Sequence, residues 1–336
     1  MKDENKQKRI SDDAFTIIVF FVLFAIVAFV FSQFSKDFLS VRNIMNILKH
    51  VSVIAIAALG LTFVIAVGHS DISFYMSACF SAMLMSWLIA KGWHPILCIV
   101  AGLLGGAFFG AISGIAVGKY KLPDIIVTIA IGSMAFGAAY LFSDGAFIYK
   151  NFLTSGIGLL NEAKILGIPL PVVIMLTLYS FAYILMEHSK YGRYFYATGS
   201  NKVAAFFSGI KINRVIIIAF IICSVLASMS TMITTAAQGN GNVKSGLNLL
   251  MPCFSAVYIG LSVFKKPSVI GTFLGAVFTS MMLNGFTLLS VPFYYGDLVI
   301  SVVLIVAILF SKVQISKGFG SKRQLGKRKG QEVTAK

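Results

Sequence analysis

The residues from Pro95 to Gly118, PILCIVAGLLGGAFFGAISGIAVG, carry no charge and decide the class of fold. At about 1.5 Å per helical residue this run exceeds the hydrocarbon thickness of a bilayer, about 30 Å. Gly106, Gly110, Gly114 and Gly118 recur at every fourth position and so share one face of the helix. Such a face lets a neighbouring backbone come close, a helix-packing signal.

Comparable runs lie on both sides of it, at 15–34, 51–67, 72–90, 123–143, 168–187, 214–236, 247–264, 268–290 and 294–311. Gly271 and Gly275 repeat the small-residue spacing in the ninth run. With 58% hydrophobic and 12% charged residues and a mean hydropathy of +0.89, the chain predicts an all-α membrane protein. The expected architecture is a polytopic bundle of about ten transmembrane helices. Residues 1–13 read as a polar leader, 14–311 as the membrane domain, and 312–336 as a basic, solvated tail. Arg42, Asn43, Asn46 and Lys49, set among apolar residues between 36 and 50, predict a short interfacial helix before the second run.

Net charge is +16. With the N-terminus inside, 21 of the 28 basic residues fall in the leader, the inner breaks and the tail. The asymmetry predicts cytoplasmic N- and C-termini in a multi-pass cell-membrane protein. The charge then reports orientation and contact with anionic lipid, not nucleic acid. The inner break from Lys190 to Arg214, KYGRYFYATGSNKVAAFFSGIKINR, has five basic residues and no acid. Its middle, Ser200 to Phe207, predicts a short amphipathic helix with Gly192, Gly199 and Gly209 punctuating its ends.

The chemistry available is sparse. Asp71, Asp124, Glu187 and Asp297 sit at predicted span ends, where a solvated or capping carboxylate is the plain reading. His69, Ser70 and Asp71 are consecutive, so their side chains diverge and cannot form a nucleophilic triad. The four cysteines lie in apolar runs as small hydrophobes, with no metal-ligand spacing. No G-x-x-x-x-G-K-[ST] run occurs, so the chain has no phosphate-binding loop of its own. These features predict neither an enzyme nor a cofactor or metal site. Thr62, Thr128 and Asn284 are polar groups inside spans, and with Asp71 they are the pathway candidates. An amide such as Asn284 is costly in an apolar helix unless it pairs or meets water.

Gly192-Arg193, Ala197-x-Gly199-x-Asn201, Ala204-Ala205 and Ser208-Gly209-Ile210 resemble the cytoplasmic-loop signature of the ribose-type permeases of ABC importers. Asn43-x-x-Asn46-Ile47-Leu48, Lys121-Leu122-Pro123, Gly271-Thr272 and Leu283-Asn284-Gly285 extend the resemblance over nearly the whole chain. It implies a permease dimer, a cytosolic ATPase pair that binds the ATP, and an extracytoplasmic solute-binding protein. Ser200 to Phe207 would then be the coupling helix. Gly192, Arg193, Gly199, Asn201, Lys202, Ala204, Ala205 and Gly209 would form the ATPase contact.

Two departures stand out. Where the family usually carries Gly-Gly-Ile-Asp-Leu-Ser, this chain reads Gly68-His69-Ser70-Asp71-Ile72-Ser73. The later Gly-rich break is replaced by a segment ending Lys265-Lys266-Pro267-Ser268. Lys265 and Lys266 are accordingly further candidates for the ATPase contact, and a heterodimer with another permease stands beside the homodimer. The expected solute is a monosaccharide or similar small polar molecule. A nucleoside or amino-acid permease and a stand-alone secondary carrier are the alternatives.

Overall fold

The computed structural model describes residues 2–292 and 294–309, with the side chains of the first helix described from Thr16 onward. The tail expected at 312–336 lies outside the described residues. The chain is helical almost throughout. α1 (Lys2–Phe34) runs from the polar leader into the first apolar run without a break, and α2 (Val41–Ala66), α3 (Phe74–Ala90), α4 (Pro95–Gly118) and α5 (Asp124–Tyr140) follow.

A segment with little regular structure comes next, holding α6 (Leu159–Glu162) and a two-stranded antiparallel hairpin, β1 (Lys164–Ile165) and β2 (Ile168–Pro169). α7 (Leu170–Tyr183) ends in a π-helical turn, Ile184–His188, and leads to α8 (Lys190–Ser200) and α9 (Lys202–Phe207). α10 (Ile212–Gln238), α11 (Leu250–Phe264, preceded by a 3-10 turn), α12 (Val269–Leu288) and α13 (Tyr294–Leu309) complete the bundle. Among the described residues seven helices are long and apolar enough to cross a membrane, and three shorter apolar ones, α3, α5 and α13, stand beside them.

Local chemistry sets the boundaries. Ser40 caps α2 by accepting the Asn43 N–H at 3.2 Å, and Ser268 caps α12 by accepting that of Gly271 at 3.1 Å. Pro95 occupies the first turn of α4, where its missing N–H costs nothing. Gly239, at φ 67°, closes α10 in the left-handed conformation. The separate interfacial helix expected before the second run does not exist. Val41 to Ala66 is one helix, because Ser40 caps it early and nothing from Arg42 to His50 breaks the i to i−4 ladder.

α2 is the axis of the bundle. From Ala55 to Val64 every side chain is buried. The neighbours reach it by donating hydrogen bonds to its carbonyls: Tyr179 Oη of α7 to Ala55 at 2.9 Å, and Ser230 Oγ of α10 to Val53 at 2.6 Å. Thr62 Oγ1 meets Thr272 Oγ1 of α12 at 2.6 Å. In an apolar medium these contacts satisfy hydroxyls that would otherwise be stranded, and they hold helices together. The α4 glycine stripe faces α10. A Cβ on Gly106 would strike Ser228, on Gly110 the Phe220 carbonyl and Ser224, on Gly114 the Ile217 backbone, and on Gly118 the Asn213 carbonyl and Ile216. Gly271 and Gly275 likewise let α12 lie against Gly260 and Ala256 of α11.

Candidate functional site

The helix directions put the C-terminus of α2, the start of α5, the end of α7, α8, α9 and the α11–α12 turn at one end of the bundle. This loop end holds most of the sequence candidates. The short helix expected over Ser200 to Phe207 is present as α9, but it starts at Lys202, and Ser200 belongs to α8. Asn201, with φ −158° and ψ 98°, ends α8 and caps α9, its Oδ1 accepting the Ala204 N–H at 3.0 Å. An Asn side chain competes with the helical ladder in this way, which explains the break.

Gly192 and Gly199 are not helix ends either; both lie inside α8 as points of close approach. A Cβ on Gly192 would collide with the Met186 carbonyl, and one on Gly199 with that of Ala66. Gly209, at φ 76°, does follow the end of α9. Of the apolar face, Ala205 is buried, whereas Val203, Phe206 and Phe207 are exposed, Phe207 at 82%. Arg193, Lys202 and Ala204 are exposed as well.

The break after α2 packs directly on this junction. Gly68, at φ 78°, sits where a Cβ would touch the Gly199 backbone, a conformation and a proximity that suit glycine. His69 Nε2 lies 2.9 Å from Lys202 Nζ, and its Nδ1 lies 3.3 Å from Asp124 Oδ2. The same Asp124 oxygen accepts the Ser70 N–H at 2.9 Å. Burial and the Lys202 ammonium push the His69 ring below the ordinary histidine value, against the opposing pull of Asp124.

Of the two readings of a span-end carboxylate, solvated or capping, Asp71 fits the second: it holds the start of α3 and meets no solvent. It is fully buried; Oδ1 accepts the Ser73 N–H at 2.7 Å and the Ser73 Oγ–H at 2.6 Å, while Oδ2 has no hydrogen-bond partner. Burial raises its carboxyl to about 6, opposed by the Ser73 hydrogen bonds. Thr128 Oγ1 accepts the Ile72 N–H at 3.2 Å and so ties α5 to the same break. Lys266 is exposed, and its Nζ meets Glu187 at 3.0 Å and lies over the Tyr196 ring. Lys265 is the left-handed C-cap of α11, at φ 57°.

The opposite end of the bundle opens into a cavity of about 780 Å³ between the start of α2, the ends of α10 and α12, and the chain leading into α11. Amides dominate its polar lining: Asn43, Asn46, Asn161, Gln238, Asn242, Asn248 and Asn284. Lys49, His50 and Lys244 line it too, and among the described residues no carboxylate does. Asn284 and Asn43 exchange reciprocal amide bonds of 3.0 and 3.1 Å, and Asn43 also donates to the Phe38 carbonyl at 2.8 Å. Of the four pathway candidates only Asn284 reaches this vestibule. Thr62 lies on the α2–α12 seam, and Thr128 and Asp71 belong to the loop end.

Asn43 and Asn46 stand out in the sequence but not as pathway groups, and Asn161, Gln238, Asn242 and Asn248 do not stand out, because a polar residue at or between span ends reads as a boundary. Their signal was collective, since one turn in each of several distant segments carries an amide. Among the described residues no group of metal-ligating side chains converges.

A family profile described as "Branched-chain amino acid transport system / permease component" matches residues 43–308, from the first vestibule amide to the last helix. The ribose import permease protein RbsC of Escherichia coli (strain K12) is 30% identical over 277 residues, covering 81% of this chain and 86% of that protein. The chain is a ribose-type permease of this family. The D-allose transport system permease protein AlsC of the same organism is 30% identical to the permease over 307 residues, 89% of this chain and 91% of its own. The L-arabinose ABC transporter permease protein AraH of Azospirillum brasilense is 27% identical over 304 residues, 88% and 86% of the two chains. No solved structure matches the permease significantly. The family is one of membrane permease components of transport systems, not of catalytic subunits.

Proposed function

We propose that the permease forms the translocation pathway of an ATP-driven importer for a monosaccharide or a closely similar polyhydroxylated solute. The amide-lined vestibule carries this reading. Amides offer donors and acceptors together, which suits hydroxyl groups that are both. An amino acid would bring an ammonium group, for which the lining holds no carboxylate among the described residues. The relatives named for ribose, allose and arabinose transport support the same class.

The loop end, rich in Lys and Arg, faces the cytoplasm together with both termini, and the vestibule faces the solute-binding protein. ATP is bound and hydrolysed on separate ATPase subunits, against which the exposed Val203, Phe206 and Phe207 of α9 pack. Ala205, being buried, supports α9 from within. A second permease copy completes the complex, and the chain holds no cofactor.

Reconstitution with the ATPase and the solute-binding protein tests the proposal. Uptake into proteoliposomes stops when ATP is withdrawn and ignores an uncoupler; uptake driven by an ion gradient without ATPase would refute it. Replacing Phe206 and Phe207 by Glu leaves the permease in the membrane and releases the ATPase during detergent purification.

A further inference from the structure

The contact between His69, Lys202 and Asp124 fixes the chemical state of the histidine. Lysine is a donor only, so Nε2, 2.9 Å from Lys202 Nζ, must carry the lone pair. The proton of the neutral ring is then on Nδ1, which donates to Asp124 Oδ2 at 3.3 Å. His69 thus joins three elements: α9 through Lys202, the α2–α3 break that carries it, and the first residue of α5. The backbone beneath the contact is closely packed, Gly68 against Gly199 and Gly199 against the Ala66 carbonyl. A displacement of the α8–α9 junction therefore reaches the break through backbone contact and reaches α5 through the ring.

We propose that His69 is a positioning residue for energy coupling, a proton-sensitive strut that conveys movement of α9 to the α2–α3 break and to α5. This rests on the reading of α9 as the ATPase contact. Protonation puts an N–H on Nε2, opposite an ammonium that is also a donor. The Lys202 arm releases, while the Asp124 arm strengthens by gaining charge. The charged groups acting on the ring are Lys202 on α9, Asp124 on α5 and Lys121 on the turn before α5; the α10 side presents the Phe220 ring. The folded ring titrates below 6.5, so the strut is intact above that range and is lost as pH falls through it.

Two measurements test the strut. Ring-nitrogen NMR of the full chain in lipid nanodiscs, with the four histidines labelled, reads the tautomer without any transport. His69, assigned by His69→Gln, is expected to be Nδ1-protonated and neutral at about pH 7.5. An Nε2-protonated ring at that pH would overturn the proposal.

In the reconstituted complex, with pH varied on the ATPase side, solute moved per ATP is expected to fall about fivefold on acidification, the equilibrium weight of one net hydrogen bond. His69→Leu shows that deficit at every pH. His69→Gln, which keeps an acceptor for Lys202 and a donor for Asp124 without titrating, restores coupling and flattens the pH profile. The same acid loss in His69→Gln as in the parent would overturn the strut. ATP hydrolysis with no solute movement under any condition would refute the importer reading instead, and the ring spectrum would still decide the geometry.

Discussion

Replacing Asn284 by Leu, close to it in size, removes both amide bonds to Asn43 at once and strands the Asn43 Oδ1. Asn43 keeps its bond to the Phe38 carbonyl, and the two side chains are only 4% and 8% exposed. Interhelical polar contacts in membrane proteins contribute about 0.6 kcal/mol on average and up to about 1.7. Two bonds then account for about 1 kcal/mol, and the stranded acceptor adds about 1 kcal/mol more. The single change should therefore cost about 2 kcal/mol, less where cavity water reaches the orphaned oxygen. Asn43→Leu should cost somewhat more because the Phe38 carbonyl also loses its donor.

The double substitution leaves no stranded side-chain amide and loses the shared bonds only once, so it should cost about 3 kcal/mol less than the sum of the singles. Denaturant titration in mixed micelles measures all four corners of the cycle. Additivity to within about 0.5 kcal/mol would refute the pair as a clamp between α2 and α12. Uptake should fall in both single variants, since each leaves an unsatisfied group on the vestibule wall.

Gly199→Ala should destabilise by about 1–3 kcal/mol, because its methyl meets the Ala66 backbone and neither side can yield as a side chain would. Gly137→Ala, where a Cβ meets nothing within 4 Å, should stabilise α5 by about 0.5–1 kcal/mol in the same unfolding assay. Asp71 rises from 3.8 to about 6 on folding, so its neutral form is favoured in the folded state. Stability from this group is complete below its unfolded value and is lost as pH rises through about 6, a change of about 3 kcal/mol. Asp71→Asn should therefore be the more stable protein at neutral pH, and the difference from the parent should shrink on acidification; a pH-independent difference would refute the assignment. Glu187→Gln should shift stability by less than about 1 kcal/mol, because the Lys266 partner is 52% exposed and Gln still accepts the Tyr196 hydroxyl.

Much of the bundle is legible along the chain because an apolar run of sufficient length has few alternatives to a buried or membrane-spanning helix. The same local logic read Gly106 to Gly118 as one face. It failed where the deciding atom belonged to another segment. Asp71 lies at a span end, where water would ordinarily reach it, yet it is fully buried, with Ser113 of α4 on its Ser73 partner and Cys223 of α10 beside it. Lys266 stays exposed, as its charge implies, but its ion pair with Glu187, distant in sequence, could not be read along the chain.

The sequence by itself determined a polytopic helical membrane protein, its glycine-faced helices and the asymmetry of its charge, since each follows from composition and period along a single segment. Only the tertiary structure decided that α2 is the axis, that Asn201 splits the basic loop into two helices, and that amides from several segments meet in one vestibule. It also brought His69 between Lys202 and Asp124. Hydrogen bonds and close backbone approach depend on which helices become neighbours, and nothing within any one helix specifies that.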